Sequence, residues 1–376
     1  MATTRKKTRI AIACQGGGAQ TAFTAGVLKA LFQAGVHEEF DIVALSGTSG
    51  GAMCTALAWY ALRKRDKEPW KRLMAFWEEN TANTPQERAF NRYLVETLRM
   101  TNRGLIAQVQ RGPKSPIVAA FMRGWSHGMR PRFTDMEGLL REHIDFAEVK
   151  RWGAATKSPV LIIGAIDVLS GRLATFSSAN ESICVEHIMA SSTVPMLFPA
   201  VEIGAGAYWD GVFSDNPPVN ELVQPIHVGP GNLPEEIWVV KINPTMCAKT
   251  PENPEEIVDR RNQLTGNISL FHQLDTIAWL NDLFLKGAID KQFLVKNNVP
   301  APVYIPKSYA DDPDRPYHIP CIEMSGTLKL GIESKLDRSA ENLNPLIADG
   351  EVQARDFLAR RAAVVKRRKA VTRPRR

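Results

Sequence analysis

The chain has 376 residues, of which 44% are hydrophobic and 23% charged, a composition typical of a folded globular protein. Disordered, collagen-like and coiled-coil proteins are excluded on that ground. The formal charge is +7, but nine positive charges lie after residue 359 with no acidic residue among them, which leaves −2 for the rest of the chain. A nearly neutral body argues against a nucleic-acid-binding domain, and we expect no nucleic-acid partner.

The cysteines and the apolar runs indicate the compartment. Five scattered cysteines, none in a C-x-x-C pair, predict neither a disulfide framework nor a zinc site. The apolar run after the basic N-terminus covers only residues 10–14, which is short for a secretory signal peptide. The uncharged run over residues 50–62 is shorter than the ~20 residues of a membrane-spanning helix. We therefore expect a cytoplasmic protein.

Two strand–loop–helix units follow each other at the start of the chain. Residues 10–14 are typical of a buried strand, a glycine loop follows, and residues 21–34 have the apolar spacing of a helix. The unit repeats with a strand over 41–46, a glycine-rich turn around Ser49 and a helix over 52–62. Consecutive units of this kind predict a parallel sheet covered by helices.

The next segments predict an insertion and further strands. Residues 64–148 are rich in charged and aromatic side chains and poor in strand-like runs, so we expect a helical insertion or cap. Residues 160–168 and 172–176 flank a short turn and predict a hairpin that returns to the sheet. Residues 237–242 predict another buried strand.

A helical wheel over residues 271–288 predicts an amphipathic helix. Phe271, Leu274 and Ile277 lie on its apolar face, whereas Trp279 and Leu283 fall on the polar side. We interpret this pair as surface residues covered by a loop, and a contact with a membrane or partner is the alternative.

The pattern as a whole predicts an α/β fold with three layers, in which helices cover both faces of a central, mostly parallel β-sheet. We expect one domain over residues 8–345, with the helical insertion within 64–148. Residues 346–376 are expected to form a C-terminal helix and a basic, disordered tail. Because each Lys or Arg near an anionic membrane contributes roughly 1 kcal/mol, peripheral membrane contact through this tail is an alternative to a purely cytoplasmic location.

Residues 47–51, Gly-Thr-Ser-Gly-Gly, satisfy the G-x-S-x-G pattern between a predicted strand and a predicted helix. Glycines at Gly47 and Gly51 permit the sharp turn that this pattern needs. The turn would leave the Ser49 hydroxyl near a helix N-terminus, where developing negative charge is favoured. The alternative is a turn of small residues that serves packing alone.

Gly16, Gly17 and Gly18 also lie between a strand and a helix, where backbone N–H groups can point at an anionic oxygen. No Lys-Ser or Lys-Thr follows, so the loop is not a Walker A sequence. Thr21 stands where the dinucleotide fingerprint needs its third glycine. We therefore interpret the loop as an oxyanion hole.

The base for such a serine is less evident. None of the seven histidines lies in a catalytic motif, although His187 and His318 remain candidates. Ser49 follows only two predicted strands, which does not fit the usual α/β-hydrolase order. Asp210 could take the serine proton directly in a partly desolvated site, while Asp210-Gly211 alone is more typical of a turn.

Together these motifs resemble those of the patatin-like phospholipases. That family is marked by a glycine-rich oxyanion loop near the N-terminus, a G-x-S-x-G nucleophile soon after it, and a later D-G-[AG] motif. The matching segments here are residues 16–18 with 25–31, residues 47–51, and Asp210-Gly211 with the approach over 190–199. The similarity covers about residues 10–243.

The resemblance implies a serine acyl hydrolase of the lipase or phospholipase A type that acts on lipid or phospholipid. Ser49 would be the nucleophile and Asp210 its base in a Ser-Asp dyad, with amides around Gly16, Gly17 and Gly18 binding the oxyanion. Neither a metal nor an organic cofactor is indicated. The alternatives are a catalytically weak or silent lipid-binding, membrane-associated protein and an acyltransferase.

Two positions depart from the family pattern. Gln20-Thr21 stand where the family usually has Arg-Gly or His-Gly, which removes a cation or an imidazole beside the oxyanion site. Val212 ends the aspartate motif in place of Gly or Ala, a milder change. If the missing arginine orients the loop or the substrate, its loss would lower activity or alter the substrate.

Overall fold

A mixed eight-stranded sheet lies at the centre of the computed structural model, which describes residues 6–105, 124, 128–195, 198–296, 319–328 and 330–371. The strands are β1 Arg9–Cys14, β2 Asp41–Thr48, β3 Val160–Asp167, β4 Leu173–Ser177, β5 Val201–Ile203, β6 Gly206–Asp210, β7 Glu236–Lys241 and β8 Cys321–Glu323. The helices are α1 Ala22–Gln33, α2 Val36–Glu39, α3 Gly50–Lys64, α4 Trp70–Asn80, α5 Pro85–Asn102, α6 Met136–His143, α7 Phe146–Trp152, α8 Val185–Ser192, α9 Pro225–Val228, α10 Pro254–Leu285, α11 Lys291–Lys296 and α12 Ala340–Val371.

The strand order is β5-β6-β3-β2-β1-β7-β8, and β4 also pairs with β3. The central pairs β1–β2, β1–β7, β2–β3 and β7–β8 are parallel, as the repeated strand–loop–helix units predict. The β3–β4 pair is antiparallel and forms the predicted hairpin, and β6 pairs antiparallel with both β3 and β5. The mostly parallel sheet is therefore confirmed.

Helices cover both faces of this sheet. On β1, Ile10 and Ile12 belong to a large core that also contains apolar residues of α1, α3 and α4. The intervening Ala11 and Ala13 belong to a second core that includes Leu270 of α10. This alternation follows from the two-residue period of a strand, and it confirms the three-layer fold.

The described part of the insertion consists of helices and the loops that join them. Residues 64–148 contain α4, α5, α6, the start of α7 and a single 3-10 turn at Pro131–Phe133. A capping box begins α5, because the Thr84 hydroxyl accepts from the Glu87 amide and the Glu87 carboxylate accepts from the Thr84 amide. Helices thus form where strand-like runs are lacking.

Helix α10 is longer than the sequence predicts, and its buried face is rotated. Leu270, Gln273 and Ile277 are buried, whereas Phe271 of the predicted apolar face is exposed. A hydrogen bond accounts for this difference, because Gln273 Oε1 accepts from the Val219 amide at 2.6 Å. The buried face therefore includes this glutamine in place of the phenylalanine that the wheel favours. Trp279 is exposed, which agrees with its place on the polar side of the wheel but not with cover by a loop.

The C-terminal segment contains a long helix where a helix and a basic tail were expected. Helix α12 runs to Val371, and the predicted domain boundary after residue 345 falls inside it. The backbones of α12 and α1 are in contact, since a Cβ added to Gly26 would lie 2.0 Å from the Ile347 carbonyl oxygen. Arg361, counted from sequence as part of the tail, forms a two-point ion pair with the buried Glu236. Helix α12 therefore packs against the rest of the fold at least as far as Arg361.

None of the helices in the described ranges is both long and apolar enough to cross a bilayer.

Candidate active site

Ser49 occupies a sharp turn between β2 and α3. Its backbone angles are φ 54 and ψ −130, a conformation that a non-glycine residue adopts only under strain. The surroundings hold it there: the Ser49 amide donates to Ser191 Oγ at 2.9 Å, and Ser191 Oγ donates to the Gly164 carbonyl at 2.6 Å. The G-x-S-x-G pattern thus forms the predicted strand-to-helix turn.

The glycines of the two loops are needed because backbones meet there. A Cβ on Gly51 would lie 2.3 Å from the Cys14 carbonyl oxygen, and one on Gly47 would lie 2.6 Å from the Gly51 carbonyl carbon. A Cβ on Gly16 would lie 2.4 Å from the Thr48 carbonyl oxygen. Side chains at these positions would push the glycine loop away from the serine turn.

Strand register brings Asp210 to Ser49. On β3, Gly164 pairs with Thr48 at the end of β2, and the next residue, Ala165, pairs with Asp210 at the end of β6. Ser49 and Asp210, which are 161 residues apart in the chain, therefore lie close together, because the ends of β2 and β6 pair with adjacent residues of β3.

The two side chains share a hydrogen bond. Ser49 Oγ donates to Asp210 Oδ2 at 2.7 Å, while Asp210 Oδ1 accepts from the Val212 amide at 2.8 Å. Both residues are buried, with exposed fractions of 7% and 2%. Burial raises the pKa of Asp210 to about 6, against the lowering effects of these two hydrogen bonds and of the nearby Lys335 charge. Asp210 therefore has the position and basicity of a proton acceptor for Ser49.

The glycine loop divides into an anchored residue and two with free amides. The Gly16 amide donates to Asn216 Oδ1 at 2.6 Å, which removes it as an oxyanion donor and corrects its predicted role. Among the described residues, nothing accepts from the amides of Gly17 or Gly18. Gly18 has φ +57, where an L side chain is strained. The loop that meets the Ser49 turn at Gly16 thus carries two amides without an acceptor among the described residues.

His187, one of the two histidines considered as a base, is engaged in contacts of its own. His187 Nδ1 accepts from the Cys184 amide at 3.2 Å, and its Nε2 lies 3.2 Å from Glu181 Oε2. Its ring stacks on Phe176. These contacts occupy both nitrogens away from Ser49. The other candidate base, His318, lies outside the described residues.

Sequence patterns missed the residues that hold the site together. Asn216 lies in the loop after Asp210 and anchors Gly16, and Ser191 of α8 anchors Ser49. Gln20, which replaces the expected arginine, donates from Nε2 to Ser334 Oγ at 2.7 Å. Val212 contributes through its amide, so its side chain matters little to Asp210. The only available signal was the polar Asp215-Asn216 pair after the aspartate motif.

Within the described part of the chain, no three His, Cys, Asp or Glu side chains are arranged to hold a metal ion.

Two solved structures align with the chain at low identity. The crystal structure of VipD from Legionella pneumophila matches at 14% identity with a TM-score of 0.33, covering 93% of this chain and 72% of VipD. The heterodimeric ExoU–SpcU complex from the type III secretion system of Pseudomonas aeruginosa matches at 15% identity with a TM-score of 0.25. That match covers 79% of this chain and 58% of the matched chain.

No curated protein gives a significant match. A family model described as patatin-like phospholipase matches residues 12–223. This range is more than half of the chain and contains the glycine loop, the Ser49 turn and Asp210. The chain therefore belongs to the patatin-like phospholipase family of lipid acyl hydrolases.

Proposed function

We propose that this protein cleaves carboxylic esters of lipids, of the phospholipase A or lipase type, through a Ser49–Asp210 dyad and an acyl-enzyme. Family membership supports the lipid class of the substrate. The 2.7 Å bond from Ser49 Oγ to Asp210 Oδ2, beside the free amides of Gly17 and Gly18, is the observation that carries the proposal.

In the first step Ser49 Oγ attacks the ester carbonyl carbon while Asp210 Oδ2 accepts the hydroxyl proton. The carbonyl oxygen becomes negative and is stabilised by the amides of Gly17 and Gly18. Collapse of this intermediate breaks the ester bond, and Asp210 returns the proton to the departing alkoxide. The products of the step are the deacylated lipid alcohol and an acyl group on Ser49.

In the second step water attacks the acyl-enzyme. Asp210 takes a proton from the water, the same two amides hold the new oxyanion, and the fatty acid leaves as Ser49 regains its proton. A buried carboxylate suits this work, because its pKa of about 6 keeps it ionised at neutral pH and yet basic enough to receive a proton.

The experiment compares wild type with Ser49→Ala and Asp210→Asn on a chromogenic short-chain ester and on phospholipid vesicles. We expect each variant to lose at least about a thousandfold in kcat/KM, since the nucleophile and its base act as one unit. Ser192→Ala is the matched control, because Ser192 is a neighbouring serine whose hydroxyl donates to the Ile188 carbonyl.

The outcomes separate the alternatives. An inactive wild type that still binds vesicles would indicate a silent lipid-binding protein. An Asp210→Asn variant with full activity would rule out the dyad. Acyl transfer to an added alcohol such as glycerol, in preference to water, would indicate an acyltransferase that uses the same two residues.

A further inference from the structure

A lysine far from every sequence motif lies against the glycine loop. Lys335 ends a 3-10 turn at Ile332–Lys335. Its carbonyl oxygen would lie 2.2 Å from a Cβ on Gly18, and its Cε would lie 3.7 Å from a Cβ on Gly17. The chain at Lys335 thus contacts the two glycines whose amides are free.

The ammonium group has little local compensation. Among the described residues its one hydrogen bond goes from Nζ to Asn243 Oδ1 at 3.3 Å, long for a charged donor. No carboxylate in the described ranges forms an ion pair with it, although the side chain is half-buried. Asn243 is held in turn by Gln15, whose Oε1 accepts from the Asn243 amide at 2.9 Å. The charge is therefore kept at the end of β7, beside the end of β1.

The position of Lys335 depends on Gln20. Gln20 Nε2 donates to Ser334 Oγ at 2.7 Å, and Ser334 Oγ donates to the Gly331 carbonyl at 2.7 Å. Gln20 and Ser334 are both buried. An uncharged residue directly after the glycine loop therefore anchors the turn that carries a charged one.

We propose that Lys335 supplies the positive charge of this active site, where its ammonium stabilises the oxyanion together with the amides of Gly17 and Gly18. The inference rests on the proposed ester hydrolysis. It also accounts for the loss of the basic residue from the glycine-loop motif, because the cation enters from the C-terminal segment instead. A cation beside a partly desolvated oxyanion stabilises charge that is present only in the transition state.

The charges around Lys335 define a pH window. Desolvation lowers its pKa to about 8, opposed by the carboxylates of Asp210 and Asp259. On its own turn Glu333 is paired with Arg99 of α5, and Asp259 of α10 accepts from the Ile332 amide. Lys335 in turn lowers the pKa of Asp210, which is about 6. Between these two values Lys335 is charged and Asp210 is ionised.

The test measures kcat and KM against pH for wild type, Lys335→Met and Lys335→Arg, with a neutral short-chain ester and with a zwitterionic phospholipid. We expect Lys335→Met to lose about ten- to a hundredfold in kcat on both substrates, with KM changed less than about threefold. Its alkaline limb near pH 8 should disappear, and its acid limb should move to higher pH because Asp210 loses a nearby cation. Lys335→Arg should keep most of the rate and shift the alkaline limb upward.

Unchanged kcat and an unchanged alkaline limb in Lys335→Met would overturn the inference. So would a loss confined to KM for the phospholipid, which would indicate that Lys335 binds the phosphate. Lys286→Met, which removes an exposed lysine at the C-terminal end of α10, is the control for lost charge. If Lys335→Met does not fold, Lys335→Arg tests the inference alone: an upward shift of its alkaline limb supports it, and an unchanged limb contradicts it. An inactive wild type, in contrast, would count against the proposed hydrolysis itself.

Discussion

Residues 9–64 and residues 319–371 contribute to the same site in different ways. The first region holds the glycine loop and the Ser49 turn, where short motifs dictate local geometry. The second has no such motif, yet Ser334 bonds Gln20, Lys335 contacts Gly17 and Gly18, and Arg361 pairs with a buried carboxylate. The serine turn is thus set by local sequence, whereas the distant segment supplies contacts to the glycine loop and to the sheet. If that comparison holds, C-terminal substitutions should change stability or rate while the motifs stay intact.

The largest expected effect is on stability, from Arg361→Met in α12. Glu236 is 1% exposed and loses its two-point partner in this variant. Leaving a buried carboxylate without its cation costs about 3–5 kcal/mol of unfolding free energy. Urea denaturation measures the change, and Arg360→Met, at the adjacent exposed position, should cost less than about 0.5 kcal/mol. Equal losses of unfolding free energy in the two variants would indicate that Arg361 is solvated and does not stabilise Glu236.

The second prediction concerns the contact between α1 and α12. Gly26→Ala places a methyl group 2.0 Å from the Ile347 carbonyl oxygen, and neither backbone can move aside easily. We expect a loss of about 2–3 kcal/mol despite the better helix propensity of alanine. Gly326→Ala is the control, because no atom lies within 4 Å of its added Cβ. A more stable Gly26→Ala would show that the helices are not packed this closely.

The third prediction tests the anchor of the glycine loop. Asn216→Ala removes the acceptor of the Gly16 amide and leaves a buried N–H without a partner. Because the loop then no longer holds the Gly17 and Gly18 amides in place, kcat should fall about ten- to a hundredfold. Ester hydrolysis is the assay, with Asn220→Ala, at the start of the following 3-10 turn, as control. A change in KM alone would argue against a role in oxyanion binding.

The smallest effect is the pH dependence of the wild type. Asp210 must be ionised to accept a proton, and its pKa is about 6, so kcat/KM should drop about tenfold between the plateau and pH 5. Stability responds to the same raised pKa: the folded state holds the proton more tightly, so ionising Asp210 costs stability as pH rises through 6. Asp210→Asn should therefore gain stability relative to wild type from pH 5 to pH 8. An acid limb near pH 4 would mean that Asp210 is better solvated than its burial indicates.

The sequence by itself determined the strand–loop–helix units, the three-layer sheet and the serine turn. Their determinants are local. The period of apolar residues sets the secondary structure, and the glycines at 16, 47 and 51 permit the close backbone contacts of the two loops. Asp210 was a candidate base from its sequence context, but Asp-Gly is also an ordinary turn, and the resemblance to a family was needed to favour the catalytic interpretation.

Tertiary structure decided which groups meet. Adjacent pairing on β3 brings Ser49 to Asp210, Asn216 accepts from the Gly16 amide, and Lys335 reaches the glycine loop from the C-terminal segment. The helical wheel did not predict which face of α10 is buried, and the charge count did not predict how far α12 extends. In each case the stability of the arrangement depends on contacts between residues distant in sequence. A buried amide needs an acceptor, a buried carboxylate needs a cation, and two backbones can meet only at glycines.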